Sequence, residues 1–349
     1  MKGFLDLLTR LKPIILLLYF LFVAACGSQQ SEPLPTEDFS LPALETITAG
    51  RVKTQMAENA HLSTATWQLK TTNTVTPPVM NKPTPTPATF VGAGDIAICG
   101  QDGDDLTSEL LDKIPGMIFT TGDNSNESGT MYQYQNCFGP SWGRHLARIY
   151  PSPGNHDYNS GSLEAYFSYF YPSSGDPGKN YYSFDLGNWH IVSLNNNCSE
   201  ISCGPESDQI KWLKQDLEAH SNLCTLAFYH KPRWSSGPTM GDGLSAVIWK
   251  TLYAGKVDVV VNGDEHHYER FARMGPDGAP DRISGIRQFI VGTGGAYHGL
   301  IDHIAVGSEV RHTGTFGVIR FTLYPSSYSW EFVPVDGESF TDFGQDTCN

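Results

Sequence analysis

Val257-Asp258-Val259-Val260-Val261-Asn262-Gly263-Asp264-Glu265-His266-His267-Tyr268-Glu269-Arg270 is an apolar run that breaks, with no spacer, into glycine, carboxylates and imidazoles. The run Val257–Val261 is short and β-branched, as in a buried strand. Glycine at the break permits the tight turn that brings a polar group back over the strand end. The same juxtaposition recurs upstream. Phe90–Ala93 leads into Gly94-Asp95, Met117–Thr120 into Gly122-Asp123-Asn124, Ile149–Pro151 into Gly154-Asn155-His156-Asp157, and Thr225–Tyr229 into His230. Loops leaving the carboxyl ends of strands in an open α/β sheet converge on one crevice, so residues far apart in sequence meet there. A single Gly-Asp is a turn, and a single histidine ordinarily caps a strand or lies on the surface. Five such signals, each behind a strand, gather carboxylates, an amide oxygen and imidazoles, which are the donors of divalent metal ions.

The rest of the chain fits the same frame. Further strands are expected at Trp189–Leu194, Gln288–Val291, Gly317–Leu323 and Ser327–Val333, with a hairpin joining Tyr181–Asp185 to Trp189–Leu194 through Leu186-Gly187-Asn188. Helices are expected at Asp105–Lys113, Ser207–Ala219 and Leu244–Tyr253. Alternation of helices with several buried strands makes this an α/β protein without internal repeats.

Gly94-Asp95, Gly122-Asp123-Asn124, Gly154-Asn155-His156-Asp157, His230 and the block from Gly263 to Arg270 together resemble the five motifs of the metallophosphoesterases. The terminal Tyr268-Glu269-Arg270 is similar to that of the purple acid phosphatase-like branch. The resemblance runs from Phe90 almost to the end of the chain. It implies a four-layer α/β/β/α sandwich with two central mixed sheets and a two-metal site that hydrolyses phosphate esters with a metal-activated hydroxide. By position it implies that Asp123 bridges two ions, that Asp95 and His266 hold the first, and that Asn155, His230 and Asp264 hold the second. The ions would be divalent or trivalent, drawn from Fe, Mn, Zn and Mg. His156 is expected to contact the phosphate or protonate the leaving oxygen, and Asp157 to orient it.

The chain departs from that pattern in three places. Asp264 stands where the family has histidine, which adds negative charge and favours a harder ion over zinc; Glu265 or His267 are alternative ligands. Three residues after Asp123, where the purple enzymes have a tyrosinate ligand, the chain has Asn126, so no tyrosinate-to-iron absorption band is expected. Asp95-Ile96-Ala97 also lacks the Asp-x-His of many members, which leaves a first-site position for water.

A net charge of −14 over 349 residues gives no basic stripe for nucleic acid, and an anionic substrate must be attracted by something more local. Lys2, Arg10 and Lys12 precede an apolar run from Pro13 to Cys26 ending in Val23-Ala24-Ala25-Cys26-Gly27, which resembles a bacterial lipobox. Residues 1–26 are therefore expected to export the chain and anchor it through a lipid on Cys26, in the cell envelope or at the cell surface. Residues 27–89 are rich in Ser, Thr and Pro and read as a tether, leaving 90–349 as the catalytic domain. Cys99, Cys137, Cys198, Cys203, Cys224 and Cys348 then suggest three disulfides, with Cys198–Cys203 favoured by closeness.

Two other readings compete. Gly139-Pro140-Ser141-Trp142-Gly143 matches the Gly-x-Ser-x-Gly elbow of serine hydrolases but lacks the apolar strand before it. A surface lipoprotein that keeps the fold, has impaired catalysis and acts as a binding protein is the non-enzymatic alternative. Arg144, Arg148, Lys231, Arg233 and Arg270 are candidate phosphate contacts, with Arg270 the best placed by motif.

Overall fold

The computed structural model describes residues 86–221 and 223–349. The expected signal, the lipobox and all but the end of the expected tether lie outside the described residues. Thirteen strands form two mixed sheets. Strands β1 (Ala88–Ala93), β2 (Met117–Thr121) and β3 (Ile149–Ser152) run parallel, and β1 pairs antiparallel with β11 (Gly317–Tyr324). Strands β12 (Ser327–Pro334) and β13 (Phe343–Thr347) complete this six-stranded sheet. The second sheet has seven strands in the order β10-β8-β9-β7-β6-β5-β4. Its parallel centre is β5 (Trp189–Ser193), β6 (Cys224–Phe228), β7 (Val259–Asn262) and β9 (Ile286–Val291). Its antiparallel edges are β4 (Tyr182–Leu186) on one side, and β8 (Tyr268–Met274) followed by β10 (Ser308–His312) on the other.

Side-chain alternation along the central strands assigns the layers. Leu226, Phe228, Val259 and Val261 join Phe90, Phe119 and Phe321 in one core between the sheets. Phe228 lies with its ring centroid 5.9 Å from both Phe90 and Phe119, and each such ring withdraws about 150–250 Å² from water. The intervening Ala227, Tyr229 and Val260 face the other way, into a second core. That core is covered by α3 (Asp208–Ala219) and α4 (Ala246–Ala254), which supply Ile210, Leu213, Leu217, Ile248, Trp249 and Leu252. Ser207 caps α3 by accepting from the Ile210 N–H. On the first sheet, α1 (Gly103–Lys113) packs through Leu110 and Leu111, while α2 (Glu164–Phe170) adds Tyr166 and Phe170. The mixed α/β sandwich expected from the sequence is the architecture observed.

The hairpin is also present: β4 and β5 pair from Tyr182↔Ser193 to Leu186↔Trp189 across Gly187-Asn188. All six cysteines of the described residues pair, as Cys99–Cys137, Cys198–Cys203 and Cys224–Cys348. The last joins the start of β6 to the chain's end across 124 residues, which on the chain-entropy account restricts the unfolded state by about 4–5 kcal/mol.

Candidate metal centre

The parallel strands β1, β2, β3, β6, β7 and β9 all end at the same edge of the sandwich, and the polar residues lie just beyond them. Asp95, Asp123, Asp264 and His266 are four of the seven non-glycine residues with positive φ among the described residues, at 60°, 49°, 71° and 50°. Left-handed backbone costs an L-residue about 1 kcal/mol, least for Asp and Asn, so the strain is concentrated in this one cluster. Close packing holds it there. A Cβ on Gly122, itself at φ 91°, would lie 2.7 Å from both the Gly154 backbone and His230 Nδ1, and one on Gly154 would collide with the Asp123 carboxylate.

His230 is the hub. It is fully buried, and its Nδ1 faces the Thr121 carbonyl oxygen at 2.8 Å, which makes Nδ1 the donor and leaves the Nε2 lone pair turned inward. Nε2 then lies 3.1 Å from Asn155 Oδ1, 3.3 Å from Asp123 Oδ2 and 3.3 Å from Asp264 Oδ1. Four loops thus present four donor atoms to one point. On the other flank, His266 Nε2 lies 3.4 Å from Asp95 Oδ1. The two flanks are joined through backbone, because the Asp264 N–H donates to Asp95 Oδ2 at 2.9 Å. Asp95, Asp123 and His230 each offer a ligand atom within 4.8 Å of the others.

Electrostatics follow from burial and crowding. Burial pushes the Asp95 carboxyl well above its usual range, against the pull of His230, and the neighbouring Asp123 and Asp264 add to the rise. Burial also raises the Asp123 carboxyl, but His230 and His156 outweigh it and hold Asp123 below its ordinary value. Burial opposes the charge on His230, yet Asp123 and Asp264 keep that imidazole well above its normal range. His266 is lowered to about 4, chiefly by burial, so its ring is neutral and free to ligate.

Two buried atoms, Asp95 Oδ1 and His266 Nδ1, find no hydrogen-bond partner within the protein. An oxygen- and nitrogen-only donor set with an orphaned buried carboxylate oxygen fits hard-to-borderline metal ions. The alternative ligands for position 264 are engaged elsewhere. Glu265 accepts from the Thr239 hydroxyl, and His267 spans the Glu265 carbonyl oxygen and Glu269 Oε2 at 3.0 and 3.1 Å, so both belong to neighbouring buried networks. Asn126 is buried with both amide atoms unpartnered, and it supplies no phenolate.

His156 and Asp157 diverge. His156 Nδ1 faces the Glu127 carbonyl oxygen at 3.1 Å, its Nε2 lies 3.9 Å from Asp123 Oδ2, and the side chain is 30% exposed. Asp157 is expected to orient that ring, but its carboxylate lies elsewhere. It accepts from the Tyr134 hydroxyl at 2.7 Å, the Gly154 N–H at 2.8 Å and the Asn124 amide at 3.1 Å, and is wholly buried. It orders the loop carrying Asn155 and His156 instead of touching a reacting group.

The competing sites do not assemble. Ser141 is buried and donates to Asp104, with no imidazole among its partners, so the serine elbow is a chance match. Arg144 pairs with Asp112, Arg148 caps the carbonyls after α1, and Arg270 is held by Asp342 and Glu309. Of the named cations, these three are committed away from the cluster. A second group, Asp185, His190 and His220, has its two imidazoles stacked at 3.8 Å and 10°. An imidazole ligates in its own plane, so parallel rings cannot share an ion, and His190 is instead hydrogen-bonded to Asp185 and Asp216.

One residue escaped the sequence reading. Tyr297 lies face to face on His266, with ring centroids 4.0 Å apart and planes 8° from parallel. Burial, then Asp95 and Asp123, raises its phenol above the ordinary value and keeps it a neutral donor. Its signal was the Gly292-Thr293-Gly294-Gly295 run after β9, a strand-then-glycine break with no acidic or imidazole residue to mark it.

Comparison with known proteins agrees with this geometry. The family model of the calcineurin-like phosphoesterases matches residues 88–268. Purple acid phosphatase 15 of Arabidopsis thaliana is 27% identical over 232 residues, covering 56% of this chain and 43% of that protein. Purple acid phosphatase 18 of the same plant is 30% identical over 235 residues, covering 61% and 51%. The chain therefore spans about half the length of these curated relatives. Among solved structures, purple acid phosphatase PPD1 from yellow lupin (Lupinus luteus) seeds shares the fold with a TM-score of 0.59 at 17% identity, over 76% of this chain and 54% of that one. GAP50, the anchor in the inner membrane complex of Plasmodium, does so with 0.58 at 14%, over 76% and 89%. The chain belongs to the calcineurin-like phosphoesterase family, in its purple acid phosphatase-like branch.

Proposed function

We propose that this protein is an exported, membrane-anchored phosphoesterase that hydrolyses small phosphate esters at a two-metal centre. The observation that carries the reading is the convergence of Asp123, Asn155 and Asp264 oxygens within 3.1–3.3 Å of His230 Nε2. Asp123 lies between the flanks and would serve both ions, Asp95 and His266 would hold the first, and Asn155, His230 and Asp264 the second. When bound, a pair of ions supplies an activated water-derived nucleophile and withdraws charge from the phosphoryl oxygens. The protein's part is to hold that chemistry in place. Thr121 fixes the His230 tautomer, and the Asp264 N–H orients the Asp95 carboxylate. His156, anchored by Glu127 at Nδ1 and open to solvent at the other end, exchanges a proton at Nε2 with the leaving oxygen. Asp157 positions the loop that carries it.

Export is supported by the three disulfides, which persist in oxidising compartments, and by the lipobox-like Val23–Gly27. Lipidation at Cys26 and a spacer over 27–89 would set the domain off from the membrane. Among the described residues no helix is long and apolar enough to cross a bilayer.

Elemental analysis of the purified chain, followed by monoester and diester assays with each metal restored, tests the proposal. Two ions per chain and metal-dependent turnover are expected, with turnover lost in Asp123→Ala. Hydrolysis surviving that change refutes the mechanism. Bound metal without hydrolysis of any ester favours the binding-protein alternative.

A further inference from the structure

We propose that Tyr297 is a substrate-contacting residue, its phenol donating a hydrogen bond to a phosphoryl oxygen of the ester; this rests on the phosphoesterase reading above. The placement of Tyr297 is over-determined by backbone. Gly294 N–H donates to the Gly94 carbonyl oxygen at 2.9 Å, Ala296 N–H to that of Asp95 at 3.0 Å, and Gly299 N–H to that of His266 at 2.6 Å. The loop is therefore clamped to two of the residues that build the first flank, with Tyr297 between the clamps. Its ring lies flat on His266, while the side chain remains 48% exposed at the mouth. Its phenol is within electrostatic reach of Asp95, Asp123 and Asp264 and beside the buried Asn126 amide.

The stack also excludes the other obvious role. An imidazole nitrogen ligates in the plane of its ring, and the Tyr297 ring occupies a parallel plane 4.0 Å away by centroid. The phenol oxygen is thus one layer removed from whatever His266 Nε2 holds. A hydroxyl there has a clear partner. Arg144, Arg148 and Arg270 are committed elsewhere, which leaves phosphoryl oxygens fewer cationic partners and gives hydrogen-bond donors at the mouth a role beside the ions. Stacking alone would be served by phenylalanine; the hydroxyl, beside the Asn126 amide, is the part that can donate to a ligand.

The test compares the metal-loaded full chain with its Tyr297→Phe variant, which keeps the stack and deletes the hydroxyl. The probes are inorganic orthophosphate in calorimetric titration, ester turnover, metal content and the visible spectrum of the iron-loaded protein. Unchanged metal content, no visible band in either protein, and roughly 10- to 100-fold weaker phosphate binding in the variant are expected, the effect of one hydrogen bond to a charged group. Phosphate affinity within twofold of the parent overturns the assignment of Tyr297 alone. A visible band that the variant loses also overturns it, because the phenol would then be a metal ligand. Failure of the parent chain to bind phosphate or hydrolyse any ester overturns the phosphoesterase reading itself. Phosphate binding without hydrolysis, weakened in the variant, would sustain Tyr297 while sinking the enzyme.

Discussion

Asp264 stands where the metallophosphoesterase pattern has histidine, and Asp264→Asn isolates what the carboxylate contributes. The substitution is isosteric and leaves the backbone N–H that orients Asp95, so the first flank is untouched. The charge it removes lies 3.3 Å from His230 Nε2. A carboxylate and a cation held at a comparable separation interact by about 5 kcal/mol per unit charge pair at an effective dielectric of about 20. The amide oxygen retains part of that attraction, and water reaches a side chain that is 19% exposed. A loss of about 3 kcal/mol is expected, roughly 100-fold in affinity for the second ion. Affinity for the first ion should change less than that for the second, because Asp264 hydrogen-bonds Asp95 through its backbone N–H and acts on Asp95 and His266 otherwise only as a neighbouring charge. Calorimetric titration with Mn²⁺ reads both steps, and elemental analysis at limiting metal should show occupancy falling from two ions toward one. Asp264→His should keep both ions while shifting preference from manganese toward zinc. Two ions bound with parental affinity in Asp264→Asn would refute the ligand role, and with it the reason given for a harder ion.

Two further perturbations test the fold around the centre. Burial pushes the Asp258 carboxyl up to about 6, against the N–H donors of Thr225 and Asn349. Its folded value exceeds its unfolded one, so the associated stability is present below about pH 4 and lost as pH rises through 6. The melting temperature should be higher at pH 5 than at pH 7.5, and Asp258→Asn should remove about 1–1.5 kcal/mol of the stability difference between those two pH values; an unchanged difference refutes the assignment. Ser141→Ala should cost about 1–2 kcal/mol by stranding the Asp104 carboxyl, with turnover per folded molecule unchanged. Loss of turnover in a stably folded variant would revive the serine nucleophile.

The central strands were legible in the sequence because burial on both faces leaves an uninterrupted apolar run, as in Val259–Val261. The edges were not. Strands β10 and β13 each bond a single neighbour at the margin of a sheet, and their exposed, mixed sequences carry no apolar alternation. Strand β7 begins two residues later than the apolar run, because the Val257 and Asp258 N–H groups bond the Leu252 and Thr225 carbonyl oxygens. The site was legible where chemistry and turn geometry demand the same residue, as at Gly122-Asp123 and Gly263-Asp264. Direction within a loop was not legible. His156 and Asp157 are adjacent, yet one faces the cluster and the other turns to Tyr134 and Gly154. Tyr297 was invisible for a related reason: its role comes from a stack and three backbone clamps, neither of which is written in residue type.

The acidic charge that opened a puzzle about anionic substrates is sharpest at the site itself. Asp95, Asp123 and Asp264 crowd one buried region, and the first is driven well above its usual range by burial and by the other two. Ionising these carboxylates together needs positive charge among them, and His230 at the hub and His156 beside Asp123 are the imidazoles placed to supply it. The committed arginines supply none, since Arg144, Arg148 and Arg270 satisfy carboxylates and carbonyls at the periphery. A cluster of this kind is an electrostatic liability that cations convert into an asset, because ions held by the carboxylates both relieve their repulsion and present positive charge outward. On the proposed function, attraction of a phosphate ester would then depend on a local field a few ångströms across, screened little by salt and set by the ions more than by the net charge of the chain.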